Sequence, residues 1–260
     1  MVPSALMCRG PGFALGVVAS LARDDRFLGA GLDQVDWVDA VALGWFILAM
    51  GGYQLLIRVP SLYERSLTGA TQKHRITWMR VMVTRDNRSS DAILLGTLSQ
   101  GNAFFASTCA IAIGGLAAIV GSGDKADAFL QRLPLVAKAS PLVWEIKVLL
   151  LIGVFVYAFF KFAWAFRLTH YTAIIIGAIP QPGDAEPAAM ERLALNAARI
   201  GGLAAEHANG GLRAFYYAAA VLTWFFHPLA FIAATTWVGL ILIRRDFFSR
   251  SKLILAGELA

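Results

Sequence analysis

One stretch dictates what this chain can fold into: Pro141–Arg167, PLVWEIKVLLLIGVFVYAFFKFAWAFR. Up to its closing Arg167 it is apolar except for Glu145, Lys147 and Lys161. A hydrocarbon core of about 30 Å takes about 20 helical residues at 1.5 Å rise each, and this stretch exceeds that length. Trp144 at one end and Trp164 with Arg167 at the other suit the two headgroup layers, where amphipathic rings and snorkelling cations are stable. Neighbouring segments must then pack around a membrane-spanning helix.

Composition agrees. Hydrophobic residues make up 58% of the 260 and charged residues only 15%, against roughly 25% charged in soluble domains. With a mean hydropathy of +0.62, this pattern excludes a soluble globular protein. The formal charge of +6 comes from cations in loops beside apolar spans. Anionic lipid headgroups are the expected partner of such cations, and nucleic acid is not. Cys8 and Cys109 form no CxxC pair and no disulfide framework.

The reading is all-α: a polytopic membrane protein with four transmembrane helices at about 37–57, 92–120, 141–167 and 214–243. A flexible leader fills 1–32, the membrane domain 33–250 and a short basic tail 251–260. Asp33, Asp36 and Asp39 precede or open the first span, where the positive end of a helix dipole favours them. Loops one and three each hold an amphipathic helix expected to lie on the membrane surface. In the first, Ile76, Met79 and Val83 recur at helical spacing among many cations; in the third, Met190, Leu193, Ala197, Ile200 and Ala204 share a face. Arg85, Asp86, Arg88 and Asp91 mix both charge signs ahead of the second span and form a candidate ion-pair cluster that docks the first surface helix. Ala106, Ala110, Gly114 and Ala118 repeat every four residues, a face for tight helix packing. Segment 170–179 is too short to cross and reads as a continuation of the third helix or as an interfacial piece. Four spans place both termini on one side. The seven cations of the first loop and four of the third (Arg167, Arg192, Arg199, Arg213) outnumber the nine of the leader, the second loop (Lys125, Arg132, Lys138) and the tail, which makes the termini's side the outside, against the pull of Arg244, Arg245, Arg250 and Lys252.

Charged and titratable groups inside spans are the candidates for function: Glu145, Lys147, Lys161 and His227. Glu145 and Lys147, two residues apart, do not share a helix face. Tyr157 lies one turn before Lys161 and does. His227, followed by Pro228, falls near the middle of the fourth span, where proline kinks a helix. A haem at His227 needs a second ligand at matching depth, and neither His74, His170 nor His207 supplies one. No cofactor and no metal is therefore expected. No nucleophile elbow, phosphate loop, HExxH or EF-hand pattern occurs, so an enzyme is not the leading expectation.

Several strings resemble an uncharacterised bacterial membrane family, domain of unknown function 599. They are Trp78-Met79, RDNRSSD at Arg85–Asp91, FFAST at Phe104–Thr108, WEIK at Trp144–Lys147 and YAFFKFAW at Tyr157–Trp164. NGGLRAFYYA at Asn209–Ala218, WFFHP at Trp224–Pro228 and RRDFFSR at Arg244–Arg250 complete the set. The resemblance covers nearly all of the chain after Leu32. The family's His-Arg-Arg-Arg is thinned here to His74-Arg75-Ile76-Thr77. It implies a multi-pass protein of the bacterial cytoplasmic membrane and assigns no activity. The expected role is an accessory or structural subunit of a membrane complex, partnered by other membrane subunits or by copies of itself. The alternatives are a homo-oligomeric transporter or channel using Glu145, Lys161 and His227, and a haem- or quinone-handling enzyme.

Overall fold

The computed structural model describes residues 37–122 and 141–257. The leader with Cys8, the acids Asp33 and Asp36, the second loop with Lys125, Arg132 and Lys138, and the end of the tail lie outside the described residues. Within them the regular structure is entirely helical: α1 (Trp37–Arg58), α2 (Pro60–Arg65), α3 (Leu67–Met82), α4 (Ser89–Gly121), α5 (Pro141–Gly177), α6 (Pro187–Trp224), α7 (Pro228–Phe248) and α8 (Arg250–Ala256). Four runs are long and apolar enough to cross a membrane: Trp37–Arg58, Ser89–Gly121, Val143–Gly177 and Pro228–Ala256. The chain is a multi-pass membrane protein.

Side-chain contacts fix the helix directions. Trp45 bonds to Thr236 at 3.0 Å and Tyr53 to Asp246 at 2.7 Å, so α1 and α7 run the same way. Lys147 lies 3.8 Å from Asp39 and Tyr157 donates to Gln54 at 2.8 Å, so α5 runs the same way as they do. Trp224 meets Asp39 while Tyr217 meets Ala49, so α6 runs in the opposite sense. Phe105 stacks on Phe162 and Arg88 reaches Ile179, so α4 is antiparallel to α5. The bundle therefore holds a fifth pass, the C-terminal half of α6.

That pass does not read as a span because it carries Glu206, His207, Asn209 and Arg213 among its apolar residues, which its neighbours allow by covering it. Arg213, Ala214, Tyr217, Ala218, Val221 and Trp224 are buried at helical spacing against α1, α5 and α7. Glycines allow the close approach. A Cβ on Gly211 would lie 2.7 Å from Phe162 Cε2, and one on Gly202 would lie 2.5 Å from Gln72 Oε1.

The expected fourth span at 214–243 is thus two helices. α6 stops at Trp224, and Pro228 opens α7. Proline has no N–H to give and sits at ease in a first turn, while it holds the preceding residue extended: His227 has φ −160° and ψ 139°. His227 is an exposed N-cap at the end of the bundle, not a midplane residue beside a kink. Its Nδ1 accepts the Leu229 N–H at 3.1 Å.

The third-loop amphipathic helix also differs from expectation. It is the first half of the 38-residue α6, and its apolar face is covered by other helices. Met190, Ala194, Ala197 and Ala198 join Met79, Met82, Ile176 and Ile179 in a second core. Segment 170–179 mostly continues α5, which at 37 residues is about 55 Å long and overshoots a 30 Å hydrocarbon layer. The end of α5, the start of α6 and α3 form a helical projection on one side of the membrane. α3 lies along α6, tied by Gln72 Nε2 to the Ala198 carbonyl at 3.0 Å and by Arg80 to Glu191 at 2.7 Å.

Candidate functional site

A band of polar side chains crosses the bundle where it meets the projection. On one side, Tyr53 donates to Asp246, and Arg213 pairs with the same carboxylate at 3.2 Å while lying over the Tyr53 ring. On the other, Tyr63 of α2 lies beside Glu206, with Arg75 nearby. Burial, with Glu206 beside it, pushes the Tyr63 hydroxyl up to about 12, and burial lowers Arg75 from its usual range. Arg75 donates to Gln72 at 2.6 Å.

Between these clusters lies a cavity of about 440 Å³, within the range of small-molecule sites. Five helices build it, α3 through Thr68 alone. α1 contributes Gln54, Ile57 and Arg58 from its last turns, and α2, started by Pro60, supplies Tyr63 and Glu64 as a roof. α5 contributes Tyr157 and Lys161, four residues apart and so on one face. α6 contributes Glu206, His207, Gly210 and Arg213. The Lys161 stem lies over Gly210, where a side chain would come within 3.5 Å of Cδ. Its ammonium sits 5.4 Å from the Tyr157 ring centre. Tyr157 in turn donates to Gln54.

The site's charges are unevenly committed. Arg213 is matched by Asp246, and Glu206 lies beside Tyr63. Lys161 has no carboxylate within ion-pair distance among the described residues. His207 Nδ1 is buried without a hydrogen-bond partner, its ring edge-on to Trp164. The arrangement can hold a small polar or anionic group. Among the described residues no cluster of His, Cys, Asp and Glu is placed to hold a metal ion.

The other sequence candidates are dispersed. Glu145 is exposed at the far end of α5. Lys147, 2% exposed, donates to the Trp224 carbonyl at 3.0 Å and lies 3.8 Å from Asp39. His227 caps α7 nearby, away from Lys161. Within the candidate ion-pair cluster, Arg85 and Asp91 meet at 2.6 Å, and Trp78 donates to the same carboxylate oxygen. Arg88 instead donates to the carbonyls of Ile179 and Pro180 beyond the end of α5, both at 2.7 Å; Asp86 is exposed. Of the small-residue stripe only Ala106 turns inward. Ala110, Gly114 and Ala118 are exposed, and the fully buried α4 residue of the main core is Cys109, with Phe105, Ala106 and Leu116 packed beside it. Among the described residues, the stripe beyond Ala106 therefore packs against nothing.

Sequence reading found Lys161 and Tyr157 but missed Tyr63, Glu206, His207 and Arg213 as a group. The local signal for Glu206 and His207 is the pair of double glycines, Gly201-Gly202 and Gly210-Gly211, which bracket them on a helix otherwise rich in alanine.

A family model described as "Protein of unknown function, DUF599" matches residues 41–251, a range that holds every residue of the cavity. No curated protein and no solved structure matches the chain.

Proposed function

The chain belongs to the DUF599 family, and we propose that it is a ligand-binding subunit of an assembly in the bacterial cytoplasmic membrane. The cavity at Lys161 carries this reading. Lys161, a cation without a paired carboxylate among the described residues, and the His207 imidazole line one space of ligand size, and leaving such a charge unpaired is costly unless something fills the space. The far end of the bundle is closed by Lys147, Asp39 and Trp224, so the space opens toward one side. That favours holding a ligand over conducting one. Glu145, Lys161 and His227 do not line a common path, which weakens the channel alternative.

The subunit part of the proposal rests on α4. Of its 33 residues only Asp91, Leu95 and Cys109 are buried, and Gln100, Ser107, Ala110, Gly114 and Ala118 are exposed. Small residues let another helix approach closely, and amide and hydroxyl groups in a bilayer gain from a partner.

The test is native mass measurement of the protein taken from its own membrane in mild detergent, with every co-purifying chain and small molecule identified. The expected result is a companion chain and a bound small molecule that Lys161→Ala loses. Multiples of the 28.1 kDa chain with no companion would favour the homo-oligomeric carrier. A lone, empty monomer would sink the proposal.

A further inference from the structure

Resting on that ligand-binding reading, we infer that the ligand is an anionic amphiphile, its acidic headgroup at Lys161 and His207 and its apolar chain against Phe160 and Trp164. The cavity does not end at Lys161. Tyr157, Lys161 and His207 also form the inner wall of a second hollow of about 420 Å³, which continues over Phe160, Ala163 and Trp164 on the outside of α5. Phe160 is 66% exposed and Trp164 48%. On a membrane helix Phe160, at the depth of Lys161, borders the acyl chains and Trp164 lies just above it at headgroup level, so the hollow opens sideways at the edge of the bilayer.

Depth agrees with a headgroup site. Lys161 lies 20 residues after Pro141, about 30 Å along the helix, which is one hydrocarbon thickness. A lysine there that merely snorkelled would extend onward to water. Lys161 does the reverse: its ammonium turns back over Tyr157, one turn nearer the bilayer centre. Of the neighbouring cations only Arg213 has a carboxylate partner, Asp246; Arg167 meets the neutral Tyr171 hydroxyl and ring, and Arg58 lines the polar chamber without an ion pair among the described residues. The carboxylates Glu64 and Glu206 line the polar chamber, Glu206 beside Tyr63, and neither is within ion-pair distance of Lys161. Lys161 thus stands at the junction of a polar chamber and an apolar groove, with Arg58 in the one and Arg167 beside the other also free of carboxylate partners among the described residues, which is the charge and shape of a site for an acidic lipid.

The full chain in mild detergent tests this by binding of three probes: short-chain phosphatidic acid, phosphatidylcholine of the same chains, and inorganic phosphate. Trp164 fluorescence and the thermal midpoint are the readouts. Phosphatidic acid alone is expected to bind, about tenfold or more weaker in Lys161→Ala, as for a lost charged hydrogen bond, and nearly unchanged in Lys161→Arg. Trp164→Ala, which leaves the charges in place, should also weaken it and serves if Lys161→Ala does not fold. Equal binding of phosphatidylcholine, or unchanged binding in both Lys161→Ala and Trp164→Ala, overturns the inference. Inorganic phosphate binding as tightly as phosphatidic acid overturns the amphiphile and leaves a free-anion site standing. No binding by any probe, together with an empty native protein, removes both this inference and the ligand-binding reading.

Discussion

Lys147 donates to the main-chain carbonyl of Trp224 at 3.0 Å, so the buried ammonium of one helix satisfies the last turn of another. Terminal carbonyls of a helix have no partner within it, and here the missing partner is a full positive charge. The Trp224 indole N–H donates to Asp39 at 2.6 Å, and its ring stacks on Phe231 at 4.9 Å between centres. Four helices, α1, α5, α6 and α7, are latched around one tryptophan, where α6 turns into α7.

Breaking the latch from its charged centre should cost most. Lys147→Met leaves the Trp224 carbonyl and Asp39 both short of a partner, and a loss of about 3 kcal/mol is expected. Asp39→Asn keeps an acceptor for the indole and should cost about 1 kcal/mol. Because the two residues act together, the double variant should fall short of the sum. Thermal unfolding in mild detergent measures all three, and a neutral Lys147→Met would show that the latch does not hold this end.

Asp91 plays the corresponding part at the other end. Its side chain is fully buried, and one oxygen accepts from both Trp78 and Arg85 at 2.6 Å, binding α3 and the turn after it to the start of α4. Arg85 is partly exposed, so solvent screening reduces its share. Asp91→Ala should therefore destabilise by about 2 kcal/mol, mainly through the orphaned indole N–H and lost packing. Arg85→Ala should cost clearly less. Protease cleavage within the first loop gives the readout, faster in Asp91→Ala than in Arg85→Ala.

The apolar runs were legible because lipid demands an unbroken coat: α1, α4 and α5 stand where hydropathy puts them. The central pass was not. A helix surrounded by protein needs no such coat, so the 14 buried residues of α6 include Gly202, Gly211 and Arg213, and its sequence resembles a surface helix. Missing that pass joined Ala214–Trp224 to α7 and moved His227 to the midplane. The same error hid the cavity, since Glu206 and His207 gain meaning only when α6 lies against Lys161. The stripe on α4 misled differently, because its spacing specifies a packing face but not whether this chain fills it.

Tyr63 offers a pH test of the cavity roof. Its folded-state hydroxyl is raised to about 12 by burial and by Glu206, against an ordinary value of about 10. A pKa raised on folding contributes stability that is complete below pH 10 and is lost as the pH climbs through 12. Alkaline unfolding of the wild type should thus steepen above pH 10, and Tyr63→Phe should remove that component. Glu206→Gln should bring the Tyr63 titration, followed by absorbance near 295 nm, to lower pH. An unmoved titration would separate Tyr63 from Glu206.

Topology is the sharpest consequence of the fifth pass. With α1 and α7 parallel, the start of α1 and the end of α7 lie on opposite sides. The seven first-loop cations and Arg244, Arg245, Arg250 and Lys252 are then gathered at one end, with Arg192 and Arg199 of the projection. A count over four spans sets the tail against the first loop; over five passes the two add. Positive residues stay in the cytoplasm, so the projection and the tail are expected there, and Trp37 and Ser122 outside. A reporter active only in the cytoplasm should work when fused after Ala260 and fail when inserted at Ser122. Cysteine placed at Ser122 should react with an impermeant thiol reagent in intact cells, while one at Ser249 should not. Labelling at both positions would return the chain to an even number of crossings and move the cavity's mouth to the opposite leaflet.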